Sequence, residues 1–111
     1  MQINKITNEV SRRVQELLGG SLRNIILFGS YARGDYDKES DIDIMVLADI
    51  PDEEELRTLD YQMNDISSDI SLDNNIMVCI MLNNKTLFEE RLHLSAFYRN
   101  VMNDGVQIYA N

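Results

Sequence analysis

The stretch IILFGSYARGDYDKESDIDIMVL, residues 25–47, contains two apolar runs that are separated by a polar segment. Both runs predict β-strands, because each is short, rich in isoleucine and bounded by glycine or by polar residues. Gly29 and Ser30 end the first strand at a place where a helix can begin. Asp43 is the one charged residue inside the second run, residues 42–47. A carboxylate in such an apolar strand indicates a functional role for this centre of the chain.

Amphipathic helices flank this centre. Before the first strand, an apolar stripe at helical spacing predicts a helix, and it comprises Ile3, Ile6, Val10, Val14 and Leu17. Gly19 and Gly20 predict the end of that helix. After the second strand, Asp52 and Glu55 form a capping pattern. The helix that they predict carries a second apolar stripe, formed by Leu56, Leu59, Met63, Ile66 and Ile70.

The rest of the chain predicts a third strand, two helices and a short last strand. The apolar run 76–82 is the strand, Thr86 and Glu89 can cap a short helix, and a helix over 95–103 should stop at Gly105. Residues 106–109 predict the last strand. The fold class is therefore α/β or α+β, a small mixed β-sheet flanked by helices, in a single domain over residues 1–111.

Composition and charge narrow the functional classes. The 111 residues have a formal net charge of −9, a pI of about 4.4 and 44% hydrophobic residues, which is typical of a folded acidic domain. This acidity repels phosphate backbones, so we expect no direct nucleic-acid binding. Cys79 is the sole cysteine, which excludes an internal disulfide, and its apolar neighbours predict a buried, unreactive thiol. No segment resembles a signal peptide or a membrane span, which predicts a cytoplasmic protein.

Gly29, Ser30, Asp41 and Asp43 form a pattern that suits chemistry at phosphorus. Glycine lets a phosphate approach the backbone, a helix start offers free N–H groups and a positive dipole end, and a serine hydroxyl can donate another hydrogen bond. Asp41 and Asp43 are two apart on a strand, so both should point to one face. Two neighbouring carboxylates repel each other, and Mg²⁺ binds such oxygens together with substrate phosphates.

The motif over residues 29–43, Gly-Ser, ten residues, Asp-Ile-Asp, resembles the signature of the DNA polymerase beta-like nucleotidyltransferase superfamily. It is most similar to that of the minimal nucleotidyltransferases, the MNT family. Arg33 and Gly34 also fit the common Gly-Ser-x-Ala-Arg-Gly form of this motif. The resemblance extends to chain length and element order.

This resemblance implies a role for each matched position. Gly29 and Ser30 would hold the β- and γ-phosphates of ATP, and Arg33 would neutralise phosphate charge. Asp41 and Asp43 would be the catalytic residues that bind Mg²⁺. The MNT family further implies transfer of AMP onto a hydroxyl of a partner protein. That partner would be a HEPN-domain toxin, and the MNT protein would act as its antitoxin.

One departure from the family pattern keeps other functions open. Superfamily members usually carry a third carboxylate on a later strand, yet residues 76–82 read IMVCIML and contain no acid. Asp69 and Asp73 lie just before this strand, where a turn or a helix end is expected. The alternative function is a catalytically weak or inactive module that neutralises a HEPN partner by occlusion. A small-molecule nucleotidyltransferase is disfavoured, because a chain of this size leaves little room for an acceptor pocket.

Three further residues are candidates that the sequence disfavours. His93, the sole histidine, lies between two predicted helices and is expected at the surface rather than as a general base. Phe97 and Tyr98 are expected to pack a helix face rather than to bind a nucleobase.

Overall fold

The computed structural model describes residues 3–111. Its helices are α1 (Ile3–Leu18), α2 (Ser30–Arg33), α3 (Glu53–Asn74), α4 (Lys85–Glu90) and α5 (Ala96–Asp104). Its strands are β1 (Leu22–Phe28), β2 (Ile42–Ala48), β3 (Val78–Asn84) and β4 (Val106–Ala110). A short 3₁₀ turn over Gly19–Ser21 joins α1 to β1, as the two glycines predict. Within residues 3–111, no helix is both long enough and apolar enough to cross a membrane.

The four strands form one mixed sheet in the order β3-β2-β1-β4. β1 runs antiparallel to both β2 and β4, whereas β2 and β3 are parallel. A parallel pair needs a long crossover connection, and α3 provides it. The predicted fold class, a small mixed sheet flanked by helices, is confirmed.

The sheet is covered by helices on both faces. Ile25 and Leu27 of β1 belong to a core that also contains the buried side chains of α1 and α3. Ile26 and Phe28 face the other way, into a smaller core with Phe88 of α4 and Val101 of α5. The alternation of side chains along a strand separates these two sets. Phe28 and α5, on this second face, border the candidate site.

The predicted N-terminal cap of α3 is present, whereas α4 is capped by a different residue from the one predicted. Asp52 caps α3, and its carboxylate accepts a hydrogen bond from the Glu54 N–H at 3.0 Å. α4 is capped by Asn84 instead of Thr86, because the Asn84 side chain accepts from the Leu87 N–H at 3.1 Å. The same amide donates to the Ile50 carbonyl at 2.7 Å, so a buried asparagine ties β3 to the start of α3.

The bounds of β3 also differ from the expected range 76–82. Asn75 ends α3 in the left-handed conformation, and the Ile76 N–H donates to the Ser71 carbonyl at 3.3 Å. The Val78 N–H donates to Ser71 Oγ at 2.9 Å, at the first residue of the strand. Ile76 is therefore part of the helix ending, and β3 starts two residues later and continues to Asn84.

Candidate active site

Gly29 lies directly against the carboxylate of Asp43. Phe28, the last residue of β1, has Asp43 of β2 as its register partner, so the turn after β1 passes close to that side chain. Gly29 adopts φ 75° and ψ −157°, a backbone conformation that is essentially restricted to glycine. A β-carbon at this position would lie 2.5 Å from Asp43 Oδ2. The backbone conformation therefore favours glycine here, and any side chain at this position would force the Asp43 carboxylate to move.

The turn after Gly29 closes into the single helical turn α2. The Gly29 carbonyl accepts hydrogen bonds from the N–H groups of Ala32 and Arg33, both at 3.1 Å. The helix start that the sequence indicates at Ser30 is therefore present. With only four residues, α2 has a small dipole, so attraction for a phosphate would come mainly from local N–H and O–H groups.

Asp41 and Asp43 have different environments at the start of β2. Asp41 is exposed and lies one residue before the strand, whereas Asp43 is half-buried within it. Burial raises the pKa of the Asp43 carboxyl above its ordinary value, and the charge of Asp41 raises this pKa further. Ionised Asp43 is thus destabilised by desolvation and by repulsion, and a bound cation would relieve both.

Arg33 lies at the end of α2 and borders the same site. Its guanidinium lowers the pKa of Asp43 and so opposes the effects of burial and of Asp41. Arg33 Nε also donates to Asp35 Oδ2 at 3.2 Å, and both side chains are exposed. Exposed ion pairs contribute little free energy, so this contact leaves Arg33 able to bind a phosphate.

A cleft of about 350 Å³ opens beside these residues. One wall comes from the sheet and α2 and consists of Phe28, Gly29, Ser30, Arg33 and Asp43. The other wall comes from α5 and consists of Phe97, Asn100, Val101 and Asp104. Four of the five predicted site residues therefore line one cleft, and the fifth, Asp41, is close enough to Asp43 for its charge to raise the pKa of that carboxyl.

Cys79 is the residue of β3 that stands next to Asp43. The two are register partners in the parallel pair β2–β3, at the strand where the family pattern would place a third carboxylate. The thiol is half-buried, and burial together with the charges of Asp41 and Asp43 raises the pKa of Cys79. The expectation of an unreactive thiol agrees with this shift, but full burial was wrong, because Cys79 borders the carboxylate pair.

Asp69 and Asp73 are not brought to the cleft. Both lie in α3, and Asp69 Oδ2 accepts from Arg13 Nη2 at 3.2 Å on the side where α3 meets α1. His93 is exposed in the turn between α4 and α5 and does not line the cleft. These three residues therefore occupy the positions that the sequence favoured for them, a helix end and the surface.

Phe97 and Tyr98 both pack against other aromatic rings as expected, and Phe97 in addition borders the cleft. Tyr98 packs against Phe88, with ring centroids 4.7 Å apart. Phe97 makes an edge-to-face contact with Phe28 at 5.6 Å, yet it is 44% exposed and lines the cleft. Asn100 and Asp104 also line it and carry no sequence signal of their own. Only their helical spacing from Phe97 could have indicated a shared face.

The donor set suits a hard cation that is bound together with a substrate. Within residues 3–111, no three histidine, cysteine or acidic side chains are close enough to hold a metal ion by themselves. Asp41 and Asp43 offer carboxylate oxygens, and Mg²⁺ commonly takes one or two such ligands and completes its shell with phosphates and water. The residues present therefore fit a magnesium–nucleotide complex better than a dedicated metal cage.

Comparison with known proteins identifies related sequences. A family model for the nucleotidyltransferase domain matches residues 3–107. A candidate protein adenylyltransferase of Methanocaldococcus jannaschii is 33% identical over 109 residues, which cover 98% of this chain and all of that protein. The similarity therefore extends well beyond the short motif between Gly29 and Asp43.

Solved structures share the fold. A complex of a tri-AMPylated Shewanella oneidensis HEPN toxin with an MNT antitoxin contains a chain that matches with a TM-score of 0.58 and 21% identity, covering all of this chain and 74% of that one. A toxin–antitoxin structure with AMP-PNP matches with a TM-score of 0.55 and 23% identity, covering 95% of this chain and 73% of that one. At these identities the likeness establishes the arrangement of helices and strands.

Proposed function

The chain belongs to the nucleotidyltransferase domain family, and on that premise we propose that it transfers AMP from ATP onto a hydroxyl group of a partner protein, with Mg²⁺ bound at Asp41 and Asp43. The observation that carries this proposal is the close approach of the Gly29 backbone to the Asp43 carboxylate at one cleft. A phosphate-binding turn and a carboxylate pair are thereby within reach of one nucleotide.

Each matched residue has a chemical task in this transfer. Gly29 and Ser30 bind the β- and γ-phosphates, and Arg33 neutralises part of their charge. Asp41 and Asp43 hold the magnesium complex in a fixed position relative to that turn. When bound, Mg²⁺ neutralises phosphate charge and polarises phosphoryl oxygens.

The reaction is a displacement at the α-phosphorus. The acceptor hydroxyl oxygen forms a new bond to this phosphorus while the bond to the bridging oxygen of the β-phosphate breaks. Pyrophosphate leaves, and the hydroxyl proton passes to water. The residues of this chain contribute mainly by placing the phosphates and by stabilising charge, which are the chief sources of rate in phosphoryl transfer.

The proposed acceptor is a HEPN-domain toxin, and the chain is its antitoxin. Two similarities support this partner. The Methanocaldococcus jannaschii relative is named for protein adenylylation, and the Shewanella oneidensis complex pairs an MNT antitoxin with an AMPylated HEPN toxin.

The test is a labelling reaction in lysate of the source organism. Purified protein is mixed with Mg²⁺ and with ATP labelled at the α- or the γ-phosphate. We expect one protein band that takes label from α-labelled ATP only, and EDTA present from the start should prevent this labelling. The Asp43→Asn variant should give no band. Asp65→Asn is the matched control, because Asp65 is exposed on α3, and it should label like the wild type.

A second candidate function is favoured by the absence of an acid on β3. The strand reads VCIMLNN, with Cys79 beside Asp43, so the chain could neutralise its partner by occlusion without transfer. The double variant Asp41→Ala, Asp43→Ala separates the two functions. Neutralisation of a HEPN partner by this variant, with no label transferred by the wild type, would establish occlusion and refute adenylylation.

A further inference from the structure

The wall of the cleft that α5 forms has the composition of a nucleoside-binding surface. Phe97, Asn100, Val101 and Asp104 lie at positions i, i+3, i+4 and i+7, so they share one helix face. Val101 is buried in the smaller core and anchors the helix to the sheet. The other three side chains are exposed on this face and border the cleft.

From this arrangement we propose that Phe97 stacks on the base of the nucleotide, Asn100 reads the base edge and Asp104 accepts hydrogen bonds from the ribose hydroxyls. The inference rests on the proposed nucleotidyl transfer, and it adds the residues that recognise the nucleoside and the class of base that they select.

Phe97 is held in place without being covered. Its edge-to-face contact with Phe28, which is itself buried, fixes the position of the ring. The ring nevertheless stays 44% exposed, and it lines the cleft. An aromatic ring that is fixed by packing and partly open to solvent suits stacking on a base, since little side-chain entropy is lost on binding.

Asn100 matches adenine better than guanine. Its amide offers one carbonyl acceptor and an NH₂ donor, and adenine presents its N6 amino group beside the N7 acceptor. Both groups of the amide can therefore be satisfied at once. Guanine presents two acceptors, O6 and N7, along the same edge, which leaves the carbonyl of Asn100 without a donor.

Asp104 fixes the direction in which the nucleotide lies. An ionised carboxylate only accepts hydrogen bonds, and the two ribose hydroxyls can donate them. The same charge repels phosphates, which Arg33 and the turn at Gly29 attract from the opposite wall. Within residues 3–111, neither Asp104 nor Asn100 makes a side-chain hydrogen bond or ion pair to the protein. Both are thus available to a ligand.

The cleft volume, about 350 Å³, is within the range of roughly 300–1,000 Å³ that is usual for small-ligand sites.

Equilibrium binding of two magnesium complexes tests this inference. One ligand is Mg·ATP and the other is Mg·tripolyphosphate, which has no nucleoside. Phe97→Leu keeps apolar contact with Phe28 but removes the aromatic ring, and we expect it to weaken Mg·ATP binding by about 10-fold or more. Asn100→Ala should reduce the preference for Mg·ATP over Mg·GTP by about 10-fold. Binding of Mg·tripolyphosphate should stay unchanged in both variants.

Two matched controls are available in the chain. Tyr61→Leu removes an exposed aromatic ring from α3, and Asn103→Ala removes an exposed amide from α5 at a position that does not line the cleft. Both should bind Mg·ATP like the wild type.

The outcomes separate this inference from the proposed function. Wild-type affinity for Mg·ATP in both cleft variants would overturn the nucleoside site while leaving the transfer proposal intact. Equal losses for Mg·ATP and Mg·tripolyphosphate would also overturn it, because the variants would then act on the phosphate side. A wild type that binds neither ligand would overturn both proposals. Selective loss of Mg·ATP, in a protein that labels no partner, would support the nucleoside site and refute the transfer.

Discussion

At the scale of single residues, Gly29 and Asp43 lie in close contact at the centre of the site. The backbone of Gly29 is in a region that is largely closed to other residues, and its missing side chain leaves the space for Asp43 Oδ2. Glycine adopts this conformation without strain, whereas a residue with a side chain would not. The register of β1 and β2, in which Phe28 opposes Asp43, brings the turn at Gly29 next to the carboxylate.

Gly29→Ala should therefore impair both stability and transfer. The backbone conformation alone costs about 1–3 kcal/mol for a residue with a side chain. The new β-carbon also forces the Asp43 carboxylate to move, and a displacement of about 1 Å can lower a rate on the order of 10²-fold. Urea unfolding and the labelling reaction measure the two effects.

Gly19→Ala is the control for this prediction. Gly19 also has a positive φ, 54°, but nothing lies within 4 Å of a β-carbon there, and it lies before β1, at the end of that strand away from Gly29. It should cost about 1–2 kcal/mol and leave transfer unchanged. Full transfer activity in Gly29→Ala would refute the close coupling of Gly29 to Asp43.

The raised pKa of Asp43 makes the stability of the domain depend on pH and on Mg²⁺. Because this pKa is above the ordinary 3.8, ionisation costs more free energy in the folded chain than in the unfolded chain. The stability associated with the neutral carboxyl is thus complete below pH 3.8 and is lost as the pH rises through the folded pKa. Without Mg²⁺, we expect Asp43→Asn to melt at a higher temperature than the wild type at pH 7, and the difference should disappear below pH 3.8.

Added Mg·ATP should reverse the order of the two melting temperatures. Binding of Mg·ATP to the folded wild type at 100 times the dissociation constant stabilises it by about 2.7 kcal/mol, whereas Asp43→Asn lacks a metal ligand and should gain less. Asp65→Asn, on the exposed face of α3, should respond to pH and to Mg·ATP like the wild type. Equal stabilisation of the wild type and Asp43→Asn by Mg·ATP would exclude Asp43 as a metal ligand.

At the scale of secondary-structure elements, the sequence of β3 determines whether a third carboxylate lies beside Asp41 and Asp43. Its parallel pairing with β2 places Cys79 next to Asp43, where a third acid would be nearest to the other two. Asp69 of α3 does not replace it, because its carboxylate pairs with Arg13 of α1. A chain that relies on Asp41 and Asp43 alone is expected to transfer slowly.

Cys79→Asp should increase the rate of transfer in the presence of Mg²⁺. A positioned acid or base commonly contributes about 10²–10⁴-fold, so we expect the labelling rate to rise by about 10-fold or more. Without Mg²⁺ the same variant should be less stable by about 0.5–3 kcal/mol, because a third carboxylate is added to a half-buried pair. Cys79→Ser adds no charge and is the control. A folded Cys79→Asp protein that labels no faster than Cys79→Ser would show that a third acid does not limit the reaction.

The elements also show which parts of the site could be predicted from the sequence. The turn at Gly29 and the aspartate pair lie within one local motif, so their spacing and strand context were sufficient to predict that they lie close together. The position of Cys79 depends on the register of β3, which is set by where α3 ends at Asn75. The place of Phe97 beside the cleft depends on the docking of α5, which no local pattern encodes.

At the scale of the whole molecule, the cleft joins two segments that are far apart in the chain. α5 reaches Phe28 and Gly29 because β4 follows it directly and pairs with β1, where Val106 opposes Leu27. Gly105 is the residue between α5 and β4, and its N–H donates to the Val101 carbonyl at 2.9 Å. The position of the α5 wall therefore depends on the close packing around Gly105.

Gly105→Ala should displace this wall and weaken nucleotide binding. A β-carbon there would overlap the Val101 carbonyl oxygen and Ile26 Cγ2, while the φ of −69° suits any residue, so the cost is steric only. Overpacking of this kind costs about 1–3 kcal/mol, and the shift of α5 should weaken Mg·ATP binding about 10-fold while Mg·tripolyphosphate binding is retained. Gly20→Ala is the matched control, since Gly20 has no positive φ and nothing lies within 4 Å of its β-carbon. Calorimetric titration of both variants with Mg·ATP and with Mg·tripolyphosphate measures these changes in binding. A Gly105→Ala protein that is destabilised yet binds Mg·ATP like Gly20→Ala would show that the α5 wall does not contact the nucleotide.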